Sequence, residues 1–299
     1  MSSINVLGAA CIDLLLSNID RDRFFSGKYK VQQMRSSFGG DGLNQAVDLT
    51  RLGNDVSFSF IAGKDPYGTL IRSFLEQEGI HFADACFKDG IDTYVSLVMI
   101  EADGEHCFVG SENGSLRLYD RSDVSIDEDC CIASFASLFI SKAFDTDKYS
   151  SLFKQIKEKG IILCTDTSTP KNDEDARELP YLKYIDYFFC NETEGLALTH
   201  TDDIYRCEEV LYGAGAKNVI IKLGAQGALY KGKIYPPDEM VTSIDSTGAG
   251  DAFVSGFIHY LHQGKDIEAC IRFANECGAK ACRYLGGNEW SRYIHGKEV

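Results

Sequence analysis

From about residue 145 onward the sequence repeats one unit, a helical stretch followed by a short apolar run. DTDKYSSLFKQIKEKG reads as an amphipathic helix ending at Gly160, and IILCTDTS follows it as a buried strand. YFFCNETEG is a second apolar strand ending in polar residues, and TDDIYRCEEVLYGAGAKN precedes a third, VIIKLG. Repeated helix then strand implies a parallel sheet covered on both faces, because only a crossover helix returns the chain to start the next parallel strand. Ligands of such sheets bind beyond the carboxyl ends of the strands, which places Asp166, Asn191, Glu194 and Gly224 along one edge.

The first third follows a different rule. TYVSLVMI and HCFVG flank EADGE, whose Asp103 and Gly104 are the residue types of a tight hairpin turn. KYKVQQMRSS, just before Phe38, Gly39 and Gly40, is expected to pair with that hairpin and complete a small sheet. Such a sheet over a reaction site would act as a lid that excludes water, and an edge extension of the main sheet fits the pattern equally. The chain is expected to form a single domain over residues 1–299, with the lid built from discontinuous segments at roughly 9–38 and 91–112. No repeat of solenoid period is present.

Composition narrows the function classes. With 44% apolar and 25% charged residues and only 5 prolines, the 299-residue chain reads as an ordinary globular protein ordered nearly throughout. A formal charge of −15, with no run of Lys and Arg, argues against a nucleic-acid partner. The start, MSSINVLGAACIDLLL, lacks a basic stretch ahead of a long apolar one, and no window is long enough to span a bilayer, so no membrane partner and a cytoplasmic location are expected. The 11 cysteines are odd in number, form no CxxC pair and lie mostly in apolar runs, as Cys164 and Cys190 do; they read as reduced core thiols. Cys130 and Cys131 are expected to be the exposed pair, and the histidines do not gather near them as a zinc site would require.

Residues 245–257, DSTGAGDAFVSGF, carry the chemistry, with the following helical pattern stopping at Gly264. A glycine-rich turn feeding a helix leaves the backbone N–H groups of Ala249, Gly250 and Asp251 unpaired, an anion hole. Gly248 and Gly250 let a phosphate approach the backbone closely. An acidic residue there would repel phosphate if binding were its only task. General base is one task that fits Asp251, and helix N-cap is another; the turn alone leaves both open.

Other segments match one family in order. DSTGAGDAF resembles the C-terminal signature of the ribokinase-like (PfkB) carbohydrate kinases and SFGGDGLNQAVDLTRLG their N-terminal one. GAACIDLLL, NETEG, IKLGAQGALY and FANECGAKACRYLGG fall in the family's order across essentially the whole chain. The resemblance implies a three-layer α/β/α sandwich with a mostly parallel central sheet and a small β-sheet lid. It implies an enzyme that moves the γ-phosphoryl group of ATP to a hydroxyl of a small carbohydrate (ribose, fructose or a related sugar) with Mg2+. Asp251 would be the base, and Gly248, Ala249 and Gly250 would form the anion hole.

By the same resemblance the sugar is held by Asp13, Gly39, Gly40 and Asn44, with Asn113 near it. As a residue alone, Asp13 also fits a turn or cap. Asn191 and Glu194 would organise magnesium and phosphate, Glu194 through water. The nucleotide would lie over Lys222, Gly224 and Gly227, its base beside Ala274, Asn275 and Gly278; Lys222 fits a phosphate contact or an ordinary strand lysine equally. Asp245 and Thr247, with the loop near Gly286 and Gly287, would supply an optional K+ site, and the apolar VSLVMI favours a homodimer through the lid.

Two departures bear on the acceptor. Asp41 stands where ribokinases carry Lys, and Ser141 and Lys142 stand near a position where they carry an acidic sugar ligand. These changes weaken ribose as the default and admit a ketose, a sugar acid or a phosphorylated sugar. A nucleoside kinase of the same fold is the first rival, with Phe24, Phe25 and Phe38 available for a base. A non-catalytic sugar or nucleotide sensor is the second; Asp251, Asn191 and Glu194, which such a protein would lose first, are all present. No GxxxxGK[ST], HRD or DFG run occurs, which excludes the P-loop and protein-kinase mechanisms at the level of motif.

Overall fold

A computed structural model describes residues 3–20, 23–24, 27–101, 106–170 and 174–294. The chain enters through β1 (Ser3–Leu7), β2 (Cys11–Ile19), β3 (Gln33–Gly39), α1 (Asp41–Arg51) and β4 (Val56–Ser59). It continues through β5 (Ala62–Gly63), α2 (Pro66–Glu78), β6 (Phe87–Lys88), β7 (Val95–Glu101), β8 (His106–Gly110), α3 (Ser115–Leu118) and β9 (Cys130–Leu138). The repeated units follow as α4 (Thr146–Glu158), β10 (Ile162–Thr167), β11 (Tyr187–Asn191), α5 (Glu192–Thr199), α6 (Ile204–Gly213) and β12 (Val219–Lys222). Two short strands, β13 (Ala228–Tyr230) and β14 (Lys233–Tyr235), lead to α7 (Ala249–His262) and α8 (Ile267–Ala281).

The main sheet has the order β14-β13-β12-β11-β10-β9-β1-β4, parallel from β4 to β12 and closed by the antiparallel β13 and β14. Successive strand residues point to opposite faces, and the core divides accordingly. Phe189 and Ile220 pack with α1, α2, α7 and α8 on one face. Phe188, Cys190, Val219 and Ile221 pack with α4, α5 and α6 on the other. Continuous apolar runs are what a strand buried on both faces requires.

A separate four-stranded sheet has the order β3-β2-β7-β8. Here the pairing differs from the sequence expectation. β7 and β8 do pair as antiparallel strands, but β3 pairs with β2, and β2 runs parallel to β7 between them. The cause lies in CIDLLLSNI: with the buried apolar residues Ile12, Leu15, Leu16 and Ile19, it takes a central position with a neighbour on each edge. The turn residues Asp103 and Gly104 lie outside the described residues.

All 11 cysteines are free; Cys164 and Cys190 are buried, as expected. Cys130 is also buried and Cys131 half-buried, and Cys107 on β8 is the exposed thiol, because β9 lies inside the main sheet while β8 is a lid edge. Among the described residues no helix is long and apolar enough to cross a membrane.

Candidate active site

The turn before α7 is shaped by steric exclusion. Gly248 has φ +75, and a Cβ there would lie 2.2 Å from the carbonyl oxygen of Gly287. Gly248 is the N-cap residue and offers no side-chain bond to the helix. The Ala249 N–H donates to the Ser246 carbonyl at 3.2 Å, so the expected triad of free donors is reduced. Among the described hydrogen bonds, the N–H groups of Gly250 and Asp251 donate to nothing. A Cβ on Gly250 would stand 3.1 Å from Nζ of Lys222, so an ammonium lies over the same turn.

Asp251 is 7% exposed, and its Oδ2 accepts from Nδ2 of Asn44 at 2.9 Å. Its carboxylate therefore faces α1 instead of capping its own helix. Burial, reinforced by Asp41, pushes the Asp251 carboxyl well above the usual range, against the Asn44 donor and the Lys222 charge. Asp41, which accepts from the Ser137 hydroxyl, is raised by burial as well.

Lys222 ends β12 and reaches past β11 to Asp166 of β10, with Nζ 2.8 and 2.6 Å from the two carboxylate oxygens. Burial lowers the Lys222 ammonium, but Asp166 and Glu194 outweigh it and hold the group above its ordinary value. It stays charged. Asn191 and Glu194 form a capping box at the start of α5: Asn191 Oδ1 accepts from Glu194 N–H at 2.8 Å, and Glu194 Oε2 accepts from Asn191 N–H at 2.9 Å. The same Oε2 accepts from Thr167 Oγ1 at 2.9 Å.

Two cavities flank this centre. One of about 400 Å³ is lined by Gly224, Gly227, Phe253, Asn275, Gly278 and neighbours. The other, about 450 Å³, is lined by Asp13, Gly40, Asp41, Asn44, Thr247, Asp251 and others, including Tyr94, Phe108 and Arg117. Asn191, Lys222, Ser246 and Gly250 line both, so the cavities meet at the α7 turn.

Most of the expected residues converge here, each in a definite place. Asp13 is buried on β2, its carboxyl pushed up to about 6 by burial, with the Cys11 thiol opposing and Asp41 adding to the shift. Gly39 does not line the cavity; a Cβ there would fall 1.8 Å from Asp13 Oδ2, so its bareness makes room for that carboxylate. Gly40, at φ +94, does line it. Asn275 also donates to the Tyr235 carbonyl at 2.8 Å, tying α8 to β14. Asp245 is buried and accepts from the N–H groups of Thr247 and Gly286, both at 2.9 Å, while Thr247 Oγ1 is buried without a partner.

Other expectations need correction. Asn113 is exposed on the turn after β8 and lines neither cavity; its N–H donates to Ser111 Oγ. Ser141 is buried by its own bond to the Tyr119 carbonyl at 2.6 Å, and Lys142 is a surface residue 3.2 Å from Glu112. Besides Lys222, the cation that lines the second cavity is Arg117, whose Nη1 donates to the Ile140 carbonyl at 2.9 Å. Phe38 stacks on Phe74 at 4.0 Å and Phe24 meets Tyr29 at 5.8 Å; neither reaches a cavity, and Phe25 lies outside the described residues. Arg117, Tyr94 and Phe108 had no local signal, since the lid fold alone brings them over the sheet.

The profile of the pfkB family carbohydrate kinases matches residues 1–292. The chain belongs to this family. This pfkB carbohydrate kinase is 30% identical over 264 residues to a fructosamine kinase of Bacillus subtilis, covering 83% of the chain and 84% of that protein. It is 27% identical to a fructokinase of Oryza sativa subsp. japonica, with 81% of each covered. Among solved structures, a probable sugar kinase from Rhizobium etli superposes with a TM-score of 0.81 at 20% identity, covering 98% of both chains. A putative ribokinase from E. coli, solved with ATP and Mg2+, superposes at 0.77 with 21% identity, covering 97% of this chain and 96% of that one. The α/β fold with its small separate sheet, and the phosphotransferase class with an alcohol acceptor, are as the sequence implied.

Proposed function

We propose that this pfkB carbohydrate kinase transfers the γ-phosphoryl group of ATP to a hydroxyl of a small neutral sugar, with Asp251 as the base. The observation that carries this reading is the meeting of two cavities at one helix start, where a buried carboxylate, two free N–H groups and the Lys222 ammonium converge. The nucleotide occupies the glycine-lined cavity, and its terminal phosphate rests over Gly250 and Asp251 N–H beside Lys222. The sugar lies across Asp13, and Asn44 occupies Oδ2 of Asp251, leaving Oδ1 for the attacking hydroxyl. The hydroxyl proton passes to Oδ1, the hydroxyl oxygen bonds to the γ-phosphorus, and the bond to the bridging oxygen breaks with its electron pair leaving on ADP.

Glu194 and Asn191 suit magnesium, since they offer hard oxygen donors at the strand ends where the phosphates arrive. Magnesium, when bound with the nucleotide, neutralises charge on the β- and γ-oxygens. The unpartnered Thr247 Oγ1 beside Asp245 supports the optional K+ site. Lys142 lies on the surface and Asp13 and Asp41 in the cavity, which supports a ketose or its amino derivative over a sugar acid or sugar phosphate, with Arg117 and Lys222 the cations an anionic acceptor would need. Tyr94 and Phe108 beside the same cavity support a nucleoside acceptor as the second reading. The open lid edges β3 and β8 carry exposed Met34 and Val109, which favours a homodimer through the lid; sedimentation would read its mass.

The test is ADP release with ATP and Mg2+ over fructose, fructosamine, ribose, 2-keto-3-deoxygluconate, sugar phosphates, adenosine and inosine, with and without K+. Fructose-type acceptors should turn over fastest. Turnover confined to nucleosides selects the second reading, and turnover confined to anionic sugars overturns the assignment of charge.

A further inference from the structure

One polar face of α1 grips the chain after Gly287. Asn44, Asp48 and Arg51 follow one another at helical spacing, so they share that face. Trp290 Nε1 donates to Asp48 Oδ2 at 2.9 Å, Arg51 Nη1 donates to the Asn288 carbonyl at 2.6 Å and to Ser291 Oγ at 3.1 Å, and Asn288 Nδ2 donates to Asn44 Oδ1 at 2.9 Å. Gly287 is wedged in between: a Cβ on it would lie 2.6 Å from Asn44 Nδ2, and its own backbone blocks a Cβ on Gly248.

The direction of this chain of amides follows from a single fixed point. Asn288 Nδ2 also donates to the Phe38 carbonyl at 3.0 Å, and a backbone carbonyl can only accept. The group that Asn288 turns toward Phe38 and Asn44 is therefore its NH2. Asn44 must answer with its oxygen, and its NH2 is left facing Asp251 Oδ2 at 2.9 Å. Asn288 is 1% exposed and Asn44 4% exposed, so water does not compete for these bonds.

We propose that Asn288 is a positioning residue for phosphoryl transfer: its amide locks the Asn44 amide in the orientation that presents N–H to Asp251. The inference rests on Asp251 as the base. With the amide locked, one carboxylate oxygen is held and the other is aimed at the acceptor. With Asn288 absent, Asn44 is free to turn over and set oxygen against oxygen.

The direct test is a 13C-carboxyl NMR titration of the full chain with labelled aspartate, the Asp251 signal assigned by its loss in Asp251→Asn. The charged groups facing Asp251 are Asp41 on α1, Asp166 on β10 and Lys222 on β12, with the Cys11 thiol on β2; none is altered by the substitution. Asn288→Ala should raise the Asp251 midpoint by about one pH unit, because a donor to the ionised form is lost. Asn288→Asp should raise it further, since a carboxylate beside the Phe38 carbonyl forces Asn44 to turn. In an Asn44→Ala background Asn288→Ala should add nothing. Should Asn288→Ala not fold, judged by melting and ATP affinity, Asn288→Ser, which keeps one donor, takes its place with a smaller rise expected. An unchanged midpoint, or a shift of equal size without Asn44, overturns the proposal. If Asp251→Asn keeps turnover, the base reading fails independently of the titration.

Discussion

The two cavities are nearly equal in volume, about 400 and 450 Å³, and are built on opposite plans. The side proposed for the nucleotide is made by leaving side chains out: Gly224, Gly227 and Gly278 bare the backbone, and Val241, Phe253 and Ala279 supply apolar walls. The side proposed for the acceptor is made by bringing charges in: Asp13, Asp41, Asp166, Glu194 and Asp251 stand against Lys222 and Arg117. A mostly apolar wall, with charge only at Lys222 and Glu239, suits a flat base, whereas an array of carboxylates suits hydroxyl donors. On the proposed reading the phosphate would sit where the two plans meet, and among the described residues the only cation lining both cavities is Lys222.

Asp251→Asn should show the sharpest separation of the two sides. Turnover is expected to fall by about 10²- to 10⁴-fold, the usual range for a positioned base, with ATP affinity nearly kept. A loss within about tenfold, read by steady-state ADP release, would break the base assignment. Lys222→Met comes next, because it touches both cavities. It removes charge from over the α7 turn, with an expected turnover loss of about 10²-fold, and leaves Asp166 buried and unpaired at a cost of about 3–5 kcal/mol. The double variant Lys222→Met with Asp166→Asn should regain stability in denaturant titrations without regaining turnover. Recovery of both would make the lysine structural.

Asp13→Asn should act on one side alone, raising the acceptor KM about tenfold and leaving the ATP KM unchanged. An ionised carboxylate accepts hydroxyl donors more strongly than a protonated one, and burial pushes the Asp13 value up to about 6. Acceptor KM should therefore rise as pH falls through about 6 in the parent protein and stay flat across that range in the variant. Equal pH profiles would remove Asp13 from the sugar site.

The contrast between the plans also explains what could be read from the sequence. The nucleotide side and the α7 turn are local: glycines at fixed spacing before a helix announce themselves in KLGAQG and STGAGD. The alternation of helix and apolar strand fixed the main sheet for the same reason. The acceptor side is assembled over long separations. From sequence Lys222 fits a phosphate contact or an ordinary strand lysine equally, because its partner, Asp166, lies 56 residues earlier. β2 lies within the expected lid segment 9–38, but its residues carry no sign of their neighbours, so β3 is expected against the β7–β8 hairpin and instead pairs with β2. Lys142 and Asn113 lie within a few residues of Ile140 and Leu116, which line the cavity, but both are on the exposed surface. Asn288 has no motif at all; its bonds to Asn44 and Phe38 cross about 250 residues and exist only in the fold.

The smallest effect lies behind the acceptor side, in the buried face of α1. Asp48 is fully buried, and burial raises its carboxyl to about 7 against the donors of Ser291 and Trp290 and the charge of Arg51. A folded-state value above the unfolded one, here 3.8, means that the folded chain binds this proton more tightly. Its contribution to stability is complete below the unfolded value and is lost as pH rises through about 7. Asp48→Asn supplies a permanently neutral group that can still accept from Trp290 Nε1. At pH 8 the variant should be more stable than the parent, and near pH 4 the two should converge. Denaturant titrations at both pH values measure the difference. A variant destabilised equally at both would mean that the Asp48 carboxylate is ionised in the fold and held by Arg51, and that α1 grips residues 288–291 by charge instead of by a neutral hydrogen bond.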